Sequence, residues 1–480
     1  MKSRFVLCMT RLLVLASALL EDDSWLTFKE EEGLLGQENS FCPDVDKLQD
    51  CYKFMDGVAS LTMASDPGAS FTTTFGFAQY GAPKSPMSVD AHFPIASNSK
   101  LYTSVAVYQL HEQGKLDVKA DIATMLDKED FVKFGWSRRH GKLCPRLAFS
   151  WTCQKITLEH LLSMSSGIYP ELNCNARPSS LFSRSPQCNP VPYFINPGSI
   201  AAVIGTFLDQ PLIFRPGTKY QYSNPNFILA AYFVEKYSGM TFRDYLETHI
   251  FSRIGLNETY YDFFDQGFRL DPQRVQEYYK FYDNRTHELL SVGLNKLQLD
   301  LGVASGTGGI ISTLLDHTIF WHTLFNQTTR GAPLFHNATT LTSILKPFSL
   351  ISQEKLSWKS TVIDIWCYYA QGIIIICTSP QCVNGPPRWI IYQGGTVTVH
   401  TANLMDYETY DMSQVWSTSI VLLPDPVSFE RTFARQELSQ SIVEWVSDEL
   451  NGNMNLAFFN LFRFRPPTAE NAGGALIVDE

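Results

Sequence analysis

The stretch His92–Val105, HFPIASNSKLYTSV, places Ser97 and Lys100 three positions apart, just after a segment that reads as extended. If a helix opens at about Ser97, residues i and i+3 share one face, so a hydroxyl and an ammonium meet within one turn. Leu101, Val105 and Tyr108 supply an apolar stripe for such a helix. A serine hydroxyl is a poor nucleophile until a base removes its proton, and a lysine is that base only where its surroundings favour the amine. A helix N-terminus adds N–H groups where an oxyanion develops. The tetrapeptide S-x-x-K recurs at Ser343–Lys346, where Pro347 stops a helix, and at Ser352–Lys355, in a polar stretch. Only the Ser97 copy opens a long, apolar-striped helix.

A second element has to complete a proton relay. FRPGTKYQYSNPNF, residues 214–227, offers Tyr222 and Asn224 on a proline-flanked loop ahead of a helix starting near Asn226. A tyrosine oxygen beside a lysine can carry a proton to a leaving group, and an asparagine amide can hold both lysine and substrate. The other Y-x-N, at Tyr282–Asn284, coincides with a glycosylation sequon, which argues for exposed surface.

Only 18% of the 480 residues are charged and the formal net charge is -10, so no diffuse basic surface exists to neutralise phosphates and nucleic acid is not an expected partner. Residues 1–18 read as a signal peptide: Lys2 and Arg4 precede a short apolar run ending in the A-x-A pattern at Ala16 and Ala18. Arg11 interrupts that run, and a bilayer span needs about 20 apolar residues. A secreted product, or one in the lumen of the secretory or endolysosomal pathway, is expected, with no stable membrane span.

Cysteine spacing agrees with an oxidising compartment. Cys42 with Cys51, Cys144 with Cys153, Cys174 with Cys188, and Cys377 with Cys382 form close pairs, leaving Cys367 odd or paired with a neighbour in the last group. Sequons at Asn257, Asn284, Asn326 and Asn337 add N-glycosylation in a eukaryotic secretory pathway.

The coarse pattern has β-rich ends and a helical middle. ASFTTTFGFAQYG (69–81) reads as strand, as do QGIIIIC, RWIIYQ, TVTVHTANL and STSIVLL between 371 and 423, while segments around 98–114, 156–163, 226–250 and 312–325 read as helix. FARQELSQSIVEWVSDEL (433–450) reads as a further helix. An acidic leader at 19–41, one domain at 42–465 with a helical lobe inserted at about 120–345, and a loose tail at 466–480 follow. The expected fold class is α/β (α+β), an antiparallel sheet flanked by N- and C-terminal helices, with the cleft between sheet and lobe.

Taken in order, these motifs resemble the serine β-lactamase and penicillin-binding-protein-like superfamily, in particular its class C β-lactamase and esterase branch, from about Phe75 to Leu450. FPIASNSKLYTSVAVYQLHEQGKLDV looks like the nucleophile helix and ITLEHLLSMSSGI like the I-T-x-x-x-L-L-x-x-x-S-G segment. FRPGTKYQYSNPNF, IFSRIGLNET and GTGGIISTLLD look like the next three. The resemblance implies Ser97 as acylated nucleophile, Lys100 and Tyr222 as the base and acid pair, and Asn224 positioning lysine and substrate.

The third family motif departs. Where members place K-T-G or H-x-G, this chain has WIIYQGGTVTVHTA, so Tyr392 takes the cationic position, Gln393 the hydroxyl position and Gly394 the glycine, or Gln393 replaces the His if the register slips by one. Either way the cation is missing, while the Gly395 N–H can still pair with that of Ser97 as an oxyanion hole. Losing that cation weakens recognition of a substrate carboxylate and favours a small-molecule or peptide ester or amide without one. The alternative is a secreted binding protein whose catalysis has decayed. His400, one strand on, reads as a surface or packing histidine. SGTGG (305–309) reads as a tight turn, and metal and nucleotide motifs are missing, so neither metal nor cofactor is expected.

Overall fold

The computed structural model describes residues 56–63, 66–79, 85–136, 141–170, 199–262, 271, 273–275, 278–282, 289–294, 305–326, 333–358, 361–377, 388–396, 400–408 and 416–423. The expected signal, leader, C-terminal helix and tail lie outside them, as do Cys42, Cys51, Cys174, Cys188, Cys382 and Asn284.

An eight-stranded antiparallel sheet joins the two ends of the described chain. Its strands are β1 (Asp56–Met63), β2 (Asp66–Phe75), β3 (Ser349–Trp358), β4 (Thr361–Tyr369), β5 (Ile374–Cys377), β6 (Arg388–Thr396), β7 (His400–Glu408) and β8 (Trp416–Leu423). They run in the order β3-β4-β5-β6-β7-β8-β1-β2. The closure is the β1–β8 ladder, from Asp56 opposite Leu423 to Met63 opposite Trp416. The helix Leu314–Asn326 packs on β8 and β1. A three-stranded sheet of Phe93–Pro94, Ile310–Ser312 and Tyr260–Tyr261 leads into the stretch that carries Ser97.

Two helices organise the lobe. α1 (Ser99–Glu112) follows a 3₁₀ turn at Ala96–Asn98, so the α-helix begins two residues later than the spacing suggests. The expected apolar stripe is also too narrow a description, because every residue of α1 from Ser99 to Leu110 is buried. A helix enclosed on all sides must satisfy its polar side chains internally. Gln109 does so by donating to the carbonyls of His249 and Leu334 and accepting from the Tyr245 hydroxyl. α2 (Asn224–Ser238) packs along α1. It starts with Pro225 in its first turn, where a missing N–H costs nothing, and stops at Gly239, whose φ of 74° suits a residue without Cβ.

The polar stretch at Ser352–Lys355 lies in strand β3 and not in a helix, so this S-x-x-K copy lacks the helical turn that brings Ser97 and Lys100 together. Of the two courses that spacing leaves open for Cys367, the structure takes the bonded one: it and Cys377 are both disulfide-bonded, and no described cysteine is free. Cys144 and Cys153 are bonded to each other as expected, with Cα atoms 4.8 Å apart.

The core also holds neutral histidines. His317 has its Nδ1 3.1 Å from the Tyr102 hydroxyl and accepts from Trp321 Nε1 on Nε2, and burial lowers its pKa to about 3. Burial likewise lowers His322 to about 4, and its Nε2 has no hydrogen-bond partner. Both rings stay neutral in the folded chain but take up protons in the unfolded chain below about 6.5. The unfolded state then binds more protons, so stability is full above about 6.5 and falls as pH drops towards these lowered values, by up to about 1.4 kcal/mol per pH unit for each ring. Urea midpoints are expected to fall between pH 7 and pH 5, with a shallower slope in His322→Phe. An equal slope in that variant would remove His322 from the account.

Candidate active site

Every residue from Ala91 to Leu110 is buried except Ser97. Ser97 is half-buried, and a local distortion precedes it. Ala96, itself buried, has φ of 47°, a left-handed conformation uncommon for a residue with a Cβ. The turn is pinned at its base, since Ile95 N–H donates to the Ile310 carbonyl, and both the Asn98 N–H and its Nδ2 donate to the Ile95 carbonyl.

The Ser97 hydroxyl is held from two directions. Lys100 Nζ donates to Ser97 Oγ at 2.9 Å, one helical turn away, and the Tyr222 hydroxyl lies 2.8 Å from the same oxygen. Lys100 has no exposed surface, and its Nζ sits 4.9 Å from the centre of the Tyr222 ring. A serine oxygen within reach of both an amine and a phenol is the geometry required of a nucleophile with a base and a proton carrier.

Tyr222 is fixed by its neighbours in sequence. The N–H groups of Gln221 and Ser223 donate to the carbonyl and the thioether sulfur of Met164, so the loop lies against the Ser163–Gly167 segment. The Ser166 hydroxyl donates to Asn226 Oδ1 at 2.6 Å and ties the same segment to the first turn of α2. Asn224 is half-buried in that turn. The Tyr369 ring meets Tyr222 edge-on at 6.4 Å and Tyr220 at 5.8 Å, and burial followed by the adjacent Tyr222 raises the Tyr220 phenol well above its ordinary pKa.

SGTGG is a turn, as expected, but it also does something its sequence does not announce. The Thr307 carbonyl accepts from Lys100 Nζ at 3.0 Å, and the preceding Gly306 carbonyl accepts from Thr103 Oγ1 at 2.7 Å. Gly306 has φ of 80°, and a Cβ there would lie 2.3 Å from the Phe227 carbonyl oxygen of α2. Only glycine lets this turn press between the two helices and present its carbonyl to the lysine. Thr103 and Thr307 are thus additional site residues. The signal for Thr103 was available, because it lies three positions after Lys100 on the same helix. Thr307 is reached only through the tertiary fold.

Strand β6, which carries Tyr392, Gln393, Gly394 and Gly395, lies against the turn at Ala96–Asn98. β5 pairs with β6 only at Ile390–Tyr392, whereas β7 pairs along the full length to Thr396 opposite His400. The backbone of Gln393–Thr396 therefore extends beyond its β5 partner, on the strand that packs against the turn carrying Ser97. The other S-x-x-K serine in a helix, Ser343, donates to the Thr339 carbonyl. Among the described residues, no cluster of His, Cys, Asp or Glu is placed to hold a metal ion.

Ser97, Lys100 and Tyr222 thus form one hydrogen-bonded cluster at the head of α1. The family model described as Beta-lactamase matches residues 56–342, more than half of the sequence, and the chain belongs to that family of serine hydrolases. It is 25% identical over 212 residues to Penicillin-binding protein 4* of Bacillus subtilis, covering 43% of this chain and 37% of that protein. It is 27% identical over 179 residues to lovastatin esterase of Penicillium rubens, covering 37% and 41%. The chain thus spans less than half the length of these curated relatives. The structure of a penicillin binding protein from Bacillus halodurans matches 79% of this chain and 95% of its own, with a TM-score of 0.55 and 22% identity, which shows the shared fold.

Thr103→Val keeps the shape but leaves the Gly306 carbonyl without its donor, at a cost of about 1–3 kcal/mol in stability. Acylation of Ser97 by a serine-directed probe is expected to slow about tenfold, with an altered pH profile, and Thr103→Ser is expected to restore both. Lost stability with an unchanged rate and profile would make Thr103 purely structural.

Proposed function

We propose that this protein hydrolyses an ester or amide through an acyl-enzyme on Ser97. The observation that carries the reading is the Ser97 hydroxyl lying within hydrogen-bond reach of both Lys100 Nζ and the Tyr222 hydroxyl. Lys100, as the amine, takes the Ser97 proton while Oγ attacks the substrate carbonyl carbon. Tyr222 delivers a proton to the departing alcohol or amine, and the tetrahedral intermediate collapses to an ester of Ser97. Water then attacks that ester, with the same groups moving the proton in reverse, and releases the acid. The backbone N–H groups of Ser97 and Gly395 are the proposed oxyanion hole, and Asn224 the residue that orients substrate.

Substrate preference follows from the third motif. Tyr392 and Gln393 offer uncharged side chains where the family resemblance places a cation and a hydroxyl, so a substrate carboxylate lacks its partner. Neutral esters and amides fit better, a direction that the likeness to an esterase supports. The disulfide Cys144–Cys153 and the exposed sequons at Asn257 and Asn337 support a secreted or endolysosomal location.

A fluorophosphonate probe is expected to label Ser97 alone. Label should vanish in Ser97→Ala and fall by about 10³-fold or more in Lys100→Ala and Tyr222→Phe, without further loss in the double variant, because residues acting as one unit are non-additive. Ser343→Ala and Ser352→Ala should match the parent. A folded protein that takes no label and hydrolyses no ester between about pH 6 and pH 9 would support a decayed, binding-only role instead.

A neutral aryl ester is expected to be turned over at least about tenfold faster than a carboxylate-bearing β-lactam, and Tyr392→Lys with Gln393→Thr to narrow the gap. Rapid β-lactam turnover by the unaltered protein would refute the proposed preference.

A further inference from the structure

The loop closed by Cys144–Cys153 carries Phe149 and Trp151, with 89% and 90% of their surface exposed. No other large apolar side chain in the described residues exceeds 62%. Two such side chains at one tip are unusual on a soluble surface.

The loop is built to hold them there. Ser150 N–H donates to the Leu147 carbonyl at 3.1 Å, closing a turn with Phe149 at its third position. Phe149 has φ of 60°, where turns call for glycine or asparagine and a bulky side chain is strained. The base is rigid. Gln154 N–H donates to the Pro145 carbonyl and Leu212 N–H to the Arg146 carbonyl, both at 2.7 Å, and Leu147 bridges to Leu212 and packs on the core. The Arg146 guanidinium sits 5.8 Å from the Trp151 ring centre.

Charge indicates the partner. Between Asp130 and Glu159 the sequence has Lys133, Arg138, Arg139, Lys142, Arg146 and Lys155 and no acidic residue, in a chain of net charge -10. Lys142 and Lys155, which flank the disulfide, are exposed. The facing segment has Asp209 on one side and Arg215 and Lys219 on the other. Exposed Phe and Trp ringed by cations match the two requirements of a lipid surface, an apolar boundary to enter and anionic headgroups to neutralise. No described helix is long and apolar enough to cross a membrane.

We propose that this loop docks the protein on an anionic lipid surface, with Phe149 and Trp151 entering the interface and Lys142, Arg146 and Lys155 meeting the headgroups. From Leu212 the chain runs through Ile213, whose N–H donates to the Gly167 carbonyl, and Gly217, whose N–H donates to the Ser165 carbonyl, to Tyr222. Docking therefore sets lipid against a loop whose base is hydrogen-bonded to the segment that leads to the site's tyrosine, although it does not depend on the proposed hydrolase activity.

The test is co-sedimentation of the full chain with vesicles of phosphatidylcholine alone or with phosphatidylserine, at low and high salt. Binding is expected only with phosphatidylserine, and weaker at high salt. Phe149→Gly is the informative variant, because it relieves the left-handed strain: its melting temperature should hold or rise while vesicle affinity falls about tenfold. Lys142→Glu with Lys155→Glu should lower affinity similarly. Trp151→Phe should keep binding but lose the vesicle-induced blue shift in the difference emission spectrum. No binding to phosphatidylserine vesicles at low salt, or binding unchanged in Phe149→Gly with Trp151→Ser, would overturn the proposal. Self-association of the parent that these two substitutions abolish, without vesicle binding, would assign the loop to a second copy of the chain and overturn it equally.

Discussion

Lys100 is buried without exposed surface, so its amine must find oxygens inside the protein. It reaches the hydroxyl of Ser97 one turn before it and the carbonyl of Thr307, which arrives from a turn 207 residues further along the chain. Much of the described architecture serves that placement. α1 is enclosed on all sides, which keeps water from the amine. Gly306 allows the turn to pass between α1 and α2, and Thr103 holds that turn from the helix side. The distortion at Ala96 turns Ser97 outward at the head of the same helix. The half-buried hydroxyl and the enclosed amine thus belong to one short stretch of chain, held between the sheet and the lobe.

How much of this was legible in the sequence depends on whether an interaction is local. The pairing of Ser97 with Lys100 is a matter of helical spacing, and the helices near 98–114 and 312–325 show themselves by apolar content. A sheet drawn from both ends of the chain was readable from the β-rich runs at 69–81 and 371–423, but β1, which joins them through its ladder with β8, is not among the strands read from the sequence. Ser352–Lys355 is rightly set apart from a helix, but its polar residues give no apolar alternation, so the edge strand that carries them is not read as one. The role of Thr307 is invisible for a different reason. It acts through a backbone carbonyl, which any residue possesses, so no side-chain pattern marks it. Cys367 shows a related limit, since spacing alone leaves it odd or paired and only the fold shows that it is bonded.

The departure of the third motif separates the question of mechanism from that of substrate. The groups that would activate Ser97 come from α1, the loop before α2 and the SGTGG turn, and none of them lies on β6. The backbone of β6 keeps its place beside Ser97 through its ladder with β7. Side chains on that strand can therefore change what is bound without dismantling what attacks it. This division is consistent with a family whose members, on one shared fold, include a penicillin-binding protein and an esterase.

The central claim is that Ser97 becomes covalently acylated during turnover, and the direct measurement is intact-protein mass spectrometry after rapid acid quench from a neutral aryl ester, followed by peptide mapping. A transient gain equal to the acyl group on the peptide containing Ser97, absent in Ser97→Ala, is the predicted result. Turnover of the ester with no adduct on that peptide, or with the adduct on another residue, would contradict it.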